Sequence, residues 1–395
     1  MIQFQVPRTS TELYKHIDCS SSEEQPIPIL SNSLSHYLYD IKERIDAYEY
    51  EWDVFKRYTN PYEYIHTAVP QKRKSVSKHK PLSRSYFKMI ELTNFFKLIE
   101  TDSPIKSFHL AEGPGGFIEA MVHMRRRKDD RYIGMTILDN DNDSSIPSWK
   151  KSENFLREHS NVYIEKGITE TGDILSLDNL EYCIEKYASS MEIITGDGGF
   201  DFSMDFNKQE THIANLLFAQ IAFALCMQKQ NGSFILKIFD SFMQHTIDLV
   251  AILSSFYEKV YITKPQTSRY ANSEKYLVCK GFLHNSNEEF KPFLYSAFKK
   301  MVEQDDNNSV HRFLNSPLSN FFTTRIEEYN AIFGQQQIEN IYYTISLIEN
   351  KHKNEKIDTL IKQNSQRCVN WCIKYNIEYN QQLTSTTNCF LIMSD

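Results

Sequence analysis

Residues 105–120, IKSFHLAEGPGGFIEA, constrain the fold more than any other stretch of the chain. Phe108 and Leu110 lie in a short apolar run that ends at Gly113-Pro114-Gly115-Gly116-Phe117. Ile118, Met121 and Val122 then recur at helical spacing, so the order reads strand, glycine turn, helix. Glycines in such a turn let the backbone take positive φ and approach a ligand closely. Glu112, at the lip, is placed to pair with a cationic or hydroxyl-bearing ligand. The spacing is not the dinucleotide pattern G-x-G-x-x-G, and no Gly-Lys-Ser/Thr follows, which excludes a phosphate-cradling P-loop. A tight turn with no ligand is the competing reading.

The stretches that follow repeat the alternation. Strands are expected over 132–137, 162–164, 191–195, 233–239, 259–262 and 276–280, with apolar helices over 208–229 and 243–257. Residues 105–282 thus read as an α/β unit with a largely parallel sheet flanked by helices. Ligands of such sheets sit at the C-terminal ends of the strands, where the glycine turn, Asp139 and Asp197 all fall. Asp139 opens the run DNDND, which hints at a calcium loop. That reading fails, because Ser144 replaces the required glycine and Lys150 the closing glutamate.

Outside this unit the signals change. Residues 1–33 are mostly polar, with Pro26 and Pro28, and read as irregular. A single long amphipathic helix is expected over 34–57, and another over 85–100 that carries Lys88. Beyond 285 the stretches 288–304, 311–349 and 353–377 read as amphipathic helices without strands. Three parts are expected: a partly helical N-terminal extension (1–80), the α/β domain (81–285) and a helical C-terminal region (286–395).

The formal net charge of −7 does not announce a nucleic-acid binder. Against that background, QKRKSVSKHKPLSR at 71–84 carries Lys72, Arg73, Lys74, Lys78, Lys80 and Arg84 with no acid among them. Such a run favours phosphate contact over a merely solvated loop, because it leads straight into the helix with Lys88. Cys19, Cys183, Cys226, Cys279, Cys368, Cys372 and Cys389 are scattered and odd in number, as expected of free thiols in a reducing compartment. No secretory signal and no bilayer-length apolar stretch is read, so a soluble, intracellular protein without membrane contact is expected.

Four polar residues stand out by position: Lys88, Asp197 in a Gly-Asp-Gly-Gly turn, Lys237 inside the apolar run FILKIF, and Glu274 before YLVCK. A lysine inside a buried strand is costly unless paired. An edge strand would let it reach solvent, but 233–239 lies between helices and is a poor edge candidate. Taken singly, Lys88, Asp197 and Glu274 read as ordinary surface charges.

Together the segments SRSYFK, HLAEGPGGF, TGDGGFDFS, GSFILKIFD and KPQTSRYANSEKYLVCKGF resemble the FtsJ-like RNA 2′-O-methyltransferases over about 83–282. The last segment resembles the mRNA cap-methylating branch, and the overall cast is similar to members from large cytoplasmic DNA viruses. The resemblance implies a Rossmann-like methyltransferase sheet and a Lys-Asp-Lys-Glu tetrad on Lys88, Asp197, Lys237 and Glu274. It implies S-adenosyl-L-methionine at Gly113, Pro114, Gly115, Gly116 and Phe117. Glu112, Asp173 and Ile174 after Gly172, and Asp197 complete that pocket, joined by Asp139 from its place at a strand's C-terminal end. The family often has aspartate where this chain has His109, and Glu112 stands in as the carboxylate for the methionine amine. Arg269 joins the basic run as an RNA phosphate contact. Capped RNA is the implied substrate, with other capping or transcription proteins as partners, no metal, and a cytoplasmic, virion or viral-factory setting.

The chemistry has its own logic. A ribose 2′-hydroxyl must lose its proton during attack, and free lysine, with a pKa near ~10.4, is a poor base at neutral pH. Burial, a second lysine and a sulfonium all disfavour the ammonium form. Lys237 is therefore read as the base or hydroxyl-orienting group, with Lys88 its electrostatic partner and the two acids orienting both. Two other readings stand beside this one. One is the same chemistry on ribosomal or transfer RNA, and the other is a non-catalytic RNA-binding scaffold, which would show an eroded tetrad.

Overall fold

The structure, a computed structural model, describes residues 1–138, 149–199, 206–305, 307–352 and 354–381. The chain begins with β1 (Ile2–Gln5), β2 (Ile17–Ser22), α1 (Asn32–Glu43), α2 (Glu49–Thr59) and α3 (Ser85–Phe96). The central part runs β3 (Lys106–Leu110), α4 (Gly116–Arg125), β4 (Arg131–Met135), α5 (Glu153–Glu158), β5 (Val162–Ile164), α6 (Leu177–Tyr187) and β6 (Met191–Gly196). It continues through α7 (Gln209–His212), α8 (Ala214–Met227), β7 (Gln228–Ile238), α9 (Gln244–Phe256), β8 (Tyr257–Lys264) and β9 (Lys275–Phe282). The chain closes with α10 (Lys291–Val302), β10 (Ser309–Leu314), α11 (Asn320–Glu349) and α12 (Asn354–Lys374).

Eight strands form one sheet in the order β1-β8-β9-β7-β6-β3-β4-β5. The pairs β4–β5, β3–β4, β3–β6 and β6–β7 are parallel. Their strands are covered on both faces, which is why they read as near-continuous apolar runs. One face buries the apolar sides of α8 and α9, and the other packs against α3, α4 and Trp371 of α12. β9 runs antiparallel between β7 and β8, so the sheet departs from a uniform parallel pattern at its last strand. β7 is an interior strand, which excludes the edge reading for Lys237.

Three local expectations are revised. The 1–33 segment is not irregular: β1 pairs antiparallel with β8 and β2 with β10. The helix expected over 34–57 is broken after Glu43 and resumes at Glu49. Leu38, Ile41, Ile45 and Trp52 still bury against Ile338, Ile341 and Ile345 of α11, so the apolar stripe survives the break. The strand β10 occupies the start of a stretch expected to be helical. The carboxylate of Asp248 accepts from the amides of Phe313 and Leu314 and pairs with Arg312, holding that segment extended. Long-range partners of this kind leave no local signature.

Candidate active site

Four side chains from distant parts of the chain meet over the C-terminal ends of the central strands. Lys88, on the first turn of α3, donates from Nζ to Oε2 of Glu274 at 2.7 Å. Lys237, one residue from the end of β7, donates to the backbone carbonyl of Asp197 at 2.7 Å and lies 3.4 Å from its Oδ1. Asp197 directly follows β6, and the parallel register of β6 and β7 sets it beside Lys237. The two ion pairs belong to one electrostatic cluster: Glu274 feels both lysines, and Lys88 feels Asp197 and Lys237.

Burial disfavours charge at both members of the deeper pair. It lowers the pKa of Lys88 from the ordinary lysine value, against the pull of Glu274 and Asp197. For Glu274 burial is outweighed by Lys88 and Lys237 and by bonds from Lys88 and Ser268, so its pKa is held below the usual carboxylate range. Two further side chains, not singled out in the sequence, fix the acids. Ser268 donates to Oε1 of Glu274 at 2.5 Å, and the hydroxyl of Tyr276 donates to Oδ1 of Asp197 at 2.9 Å. Tyr276 sits opposite Lys237 across the β7–β9 ladder, a register that no local pattern announces.

The glycine turn adjoins this cluster. Gly115 has φ +104°, and a Cβ on Gly116 would meet Ser83 Oγ at 2.2 Å and Ser85 Oγ at 2.3 Å. The turn therefore seats the start of α3, and with it Lys88, against the start of α4. Glu112 is buried; its Oε1 accepts from the amide of Phe117 at 2.5 Å, while Oε2 is buried without a hydrogen-bond partner. Burial and the nearby charge of Asp197 push its pKa well above the usual range. His109 turns out to be a core side chain, with Nε2 on Ser107 and Nδ1 on Thr195, and burial lowers its pKa to about 3.

The Gly172-Asp173-Ile174 turn lies against the end of β4, close enough that a Cβ on Gly172 would meet the Thr136 carbonyl at 2.0 Å. Oδ1 of Asp173 accepts from the amide of Leu175 at 2.9 Å, and Ile174 is buried. Asp139 lies outside the described residues. The indole of Trp149, unremarked in the sequence, covers both Gly115 and Gly134.

The basic residues divide into two groups. Lys72, Arg73, Lys74, Lys78 and Lys80 are exposed. Arg73, Lys74, Lys78 and Lys80 border a cavity of about 390 Å³ that also touches His66, whose ring packs edge-on to Phe87 beside Lys88. Arg84 and Arg269 are elsewhere. Both pair with the buried carboxylate of Glu63, Arg269 at 2.7 Å and Arg84 at 3.3 Å, and Arg84 also donates to the Thr267 carbonyl. They tie the loop before Glu274 to the segment at Glu63. Of the cysteines, the six within the described residues are free and buried.

A sheet of this order, with a glycine turn after its first central strand and two lysine–carboxylate pairs beyond its strand ends, defines a methyltransferase-type nucleotide-binding fold. The chain belongs to the FtsJ-like methyltransferase family, whose pattern matches residues 81–282. It is 25% identical over 289 residues to cap-specific mRNA (nucleoside-2'-O-)-methyltransferase 2 of Drosophila melanogaster, covering 70% of this chain and 40% of that protein. It is 36% identical over 209 residues to cap-specific mRNA (nucleoside-2'-O-)-methyltransferase 1 of Trypanosoma cruzi, covering 51% of this chain and 54% of that one. With cap-specific mRNA (nucleoside-2'-O-)-methyltransferase 2 of Pongo abelii the identity is 28% over 362 residues, 87% of this chain and 44% of the other. The chain thus matches between 40% and 54% of the length of these relatives. No helix among the described residues is long and apolar enough to cross a membrane.

Proposed function

We propose that this protein transfers a methyl group from S-adenosyl-L-methionine to a ribose 2′-hydroxyl of capped mRNA. The observation that carries the reading is the convergence of the Lys88–Glu274 and Lys237–Asp197 pairs beside Glu112. The residues fit the methyl donor. Glu112 offers a buried oxygen without a partner, suited to an ammonium. That donor supplies an electrophilic methyl on a sulfonium.

The chain's residues do the rest. Lys237 is half-buried and holds its Nζ on Asp197, so it is placed to orient the hydroxyl and, as the neutral amine, to take its proton. Lys88 adds positive charge nearby, which stabilises a developing alkoxide. Glu274 and Asp197 hold the two amines in place, and Ser268 and Tyr276 hold the acids. The exposed lysines of 72–80 contact RNA phosphates, and Arg84 and Arg269 act on RNA only through the loop they anchor. Methionine-amine recognition falls to Glu112.

The test incubates the full chain with isotope-labelled S-adenosyl-L-methionine and equal amounts of capped and uncapped RNA, followed by nuclease digestion. Label in a 2′-O-methylated nucleoside next to the cap is expected, with little on uncapped RNA. Equal labelling of both, or preferential labelling of structured ribosomal or transfer RNA, would contradict the cap assignment. Absence of cofactor binding by calorimetry would favour the scaffold reading.

A further inference from the structure

Away from the tetrad, two histidines and a carboxylate form a cluster between the basic loop and α4. The ligand-type atoms of His79, Glu119 and His123 all lie within 4.8 Å of one another. Glu119 and His123 are one helical turn apart on α4, which puts them on one face. His79 comes from the loop that leads into α3. Its Nε2 sits 2.8 Å from Oε1 of Glu119, and its ring meets that of His123 at a centroid distance of 4.7 Å.

The surroundings are those of a ligand set. Glu119 is buried, and its other oxygen, Oε2, accepts from the amide of Leu82 at 2.7 Å, which leaves Oε1 facing the histidines. The hydroxyl of Tyr86 lies 3.0 Å from Nδ1 of His123, which fixes that ring. Outer partners of this kind orient metal-binding histidines and carboxylates. His79, Tyr86 and His123 line a cavity of about 1040 Å³, which gives an ion a path in.

We propose that His79, Glu119 and His123 bind a divalent transition ion of borderline softness, zinc being the natural probe. Two imidazoles and one carboxylate form a donor set that zinc accepts with three protein ligands and one open position. At bond lengths near ~2.1 Å, tetrahedral donors lie roughly 3.4 Å apart, so a pair at the 4.8 Å limit closes by about 1.4 Å and the 2.8 Å pair opens by about 0.6 Å. The ion clips the basic loop onto the helix that follows the glycine turn. It thereby fixes the approach to α3 without entering the methyl-transfer site. The proposal stands independently of the RNA chemistry, because it is read by metal binding.

The test is calorimetric titration of zinc into the chelator-treated full chain, with metal content of the dialysed complex by mass spectrometry. One equivalent is expected, together with a rise in melting temperature on loading. Tyr86→Phe, which removes an outer partner only, is expected to weaken binding by ~10-fold. His79→Ala and His123→Ala are expected to weaken it beyond the ~100-fold limit of such outer effects. Should either histidine variant fail to fold by circular dichroism, Glu119→Gln retains an acceptor for the Leu82 amide and carries the same expectation. No binding at stoichiometric zinc, or binding that all these variants leave unchanged, would overturn the proposal.

Discussion

Two groups of buried lysine meet at Glu274, and they are built for different ends. Its carboxylate takes Lys88, while its backbone carbonyl takes Lys264 of β8 at 2.9 Å. Lys264 also donates to the carbonyl and side-chain oxygen of Asn272, so each of its three N–H bonds has an acceptor. Nearby, Lys42 is closed onto Asp240 at 2.9 Å, with both side chains buried. Lys237, by contrast, has one close acceptor and one long contact, both on Asp197. Burial lowers the pKa of Lys264 to about 7 and also lowers that of Lys88. A depressed lysine is thus not by itself a catalytic one. What separates Lys237 from Lys264 is spare hydrogen-bonding capacity.

The contrast can be broken or sharpened experimentally. The largest separation is expected in methyl transfer. Lys88→Ala should slow the single-turnover rate by ~10²–10⁴-fold, the range for loss of a positioned proton-transfer group or its electrostatic partner. Lys42→Ala should leave the rate per folded molecule nearly unchanged. Stability should respond in the opposite sense. Asp240→Ala strands Lys42 in the interior and should cost ~3–5 kcal/mol in urea unfolding, as removal of one partner from a buried pair does. Gly116→Ala should cost ~1–3 kcal/mol by overpacking Ser83 and Ser85, and should lower the rate because α3 carries Lys88.

A buried acid held by neutral hydrogen-bond donors gives the next effect. Glu91 of α3 accepts from the indole N–H of Trp371, and burial raises its pKa to about 7. The folded pKa therefore exceeds the unfolded value of ~4.3. Its contribution to stability is full below that value and is lost as pH rises to about 7. Glu91→Gln should shrink the stability difference between pH 5 and pH 8 by ~2 kcal/mol, leaving the part due to Glu210, whose pKa is also raised to about 7. The smallest effect belongs to the exposed lysines. Lys74→Ala should reduce the salt slope of RNA affinity by ~0.7, one phosphate contact on a single strand, without changing the position methylated.

Much of this was legible in the sequence because local patterns carried it. The glycine turn, the apolar parallel strands and the lysine inside FILKIF each break a simple rule in a visible way, and the fold explains all three. Interior placement of β7 followed from its flanking helices. What stayed hidden depends on contacts between distant residues. Arg269 and Arg84 look like free cations until Glu63 is placed between them. Tyr276 and Ser268 hold the acids only through the β7–β9 register and a loop return. β1 and β10 are short, and β10 in particular is held extended by the distant Asp248. His79 meets Glu119 and His123 only after α3 and α4 pack together.

In the proposed reaction Lys237, with Lys88 beside it, activates a ribose hydroxyl. Single-turnover transfer of labelled methyl to capped RNA by Lys237→Ala, with cofactor affinity measured in parallel, tests it most directly. Transfer should fall by ~10²–10⁴-fold while cofactor affinity stays near that of the unsubstituted protein. Undiminished transfer by a folded Lys237→Ala protein would contradict the account.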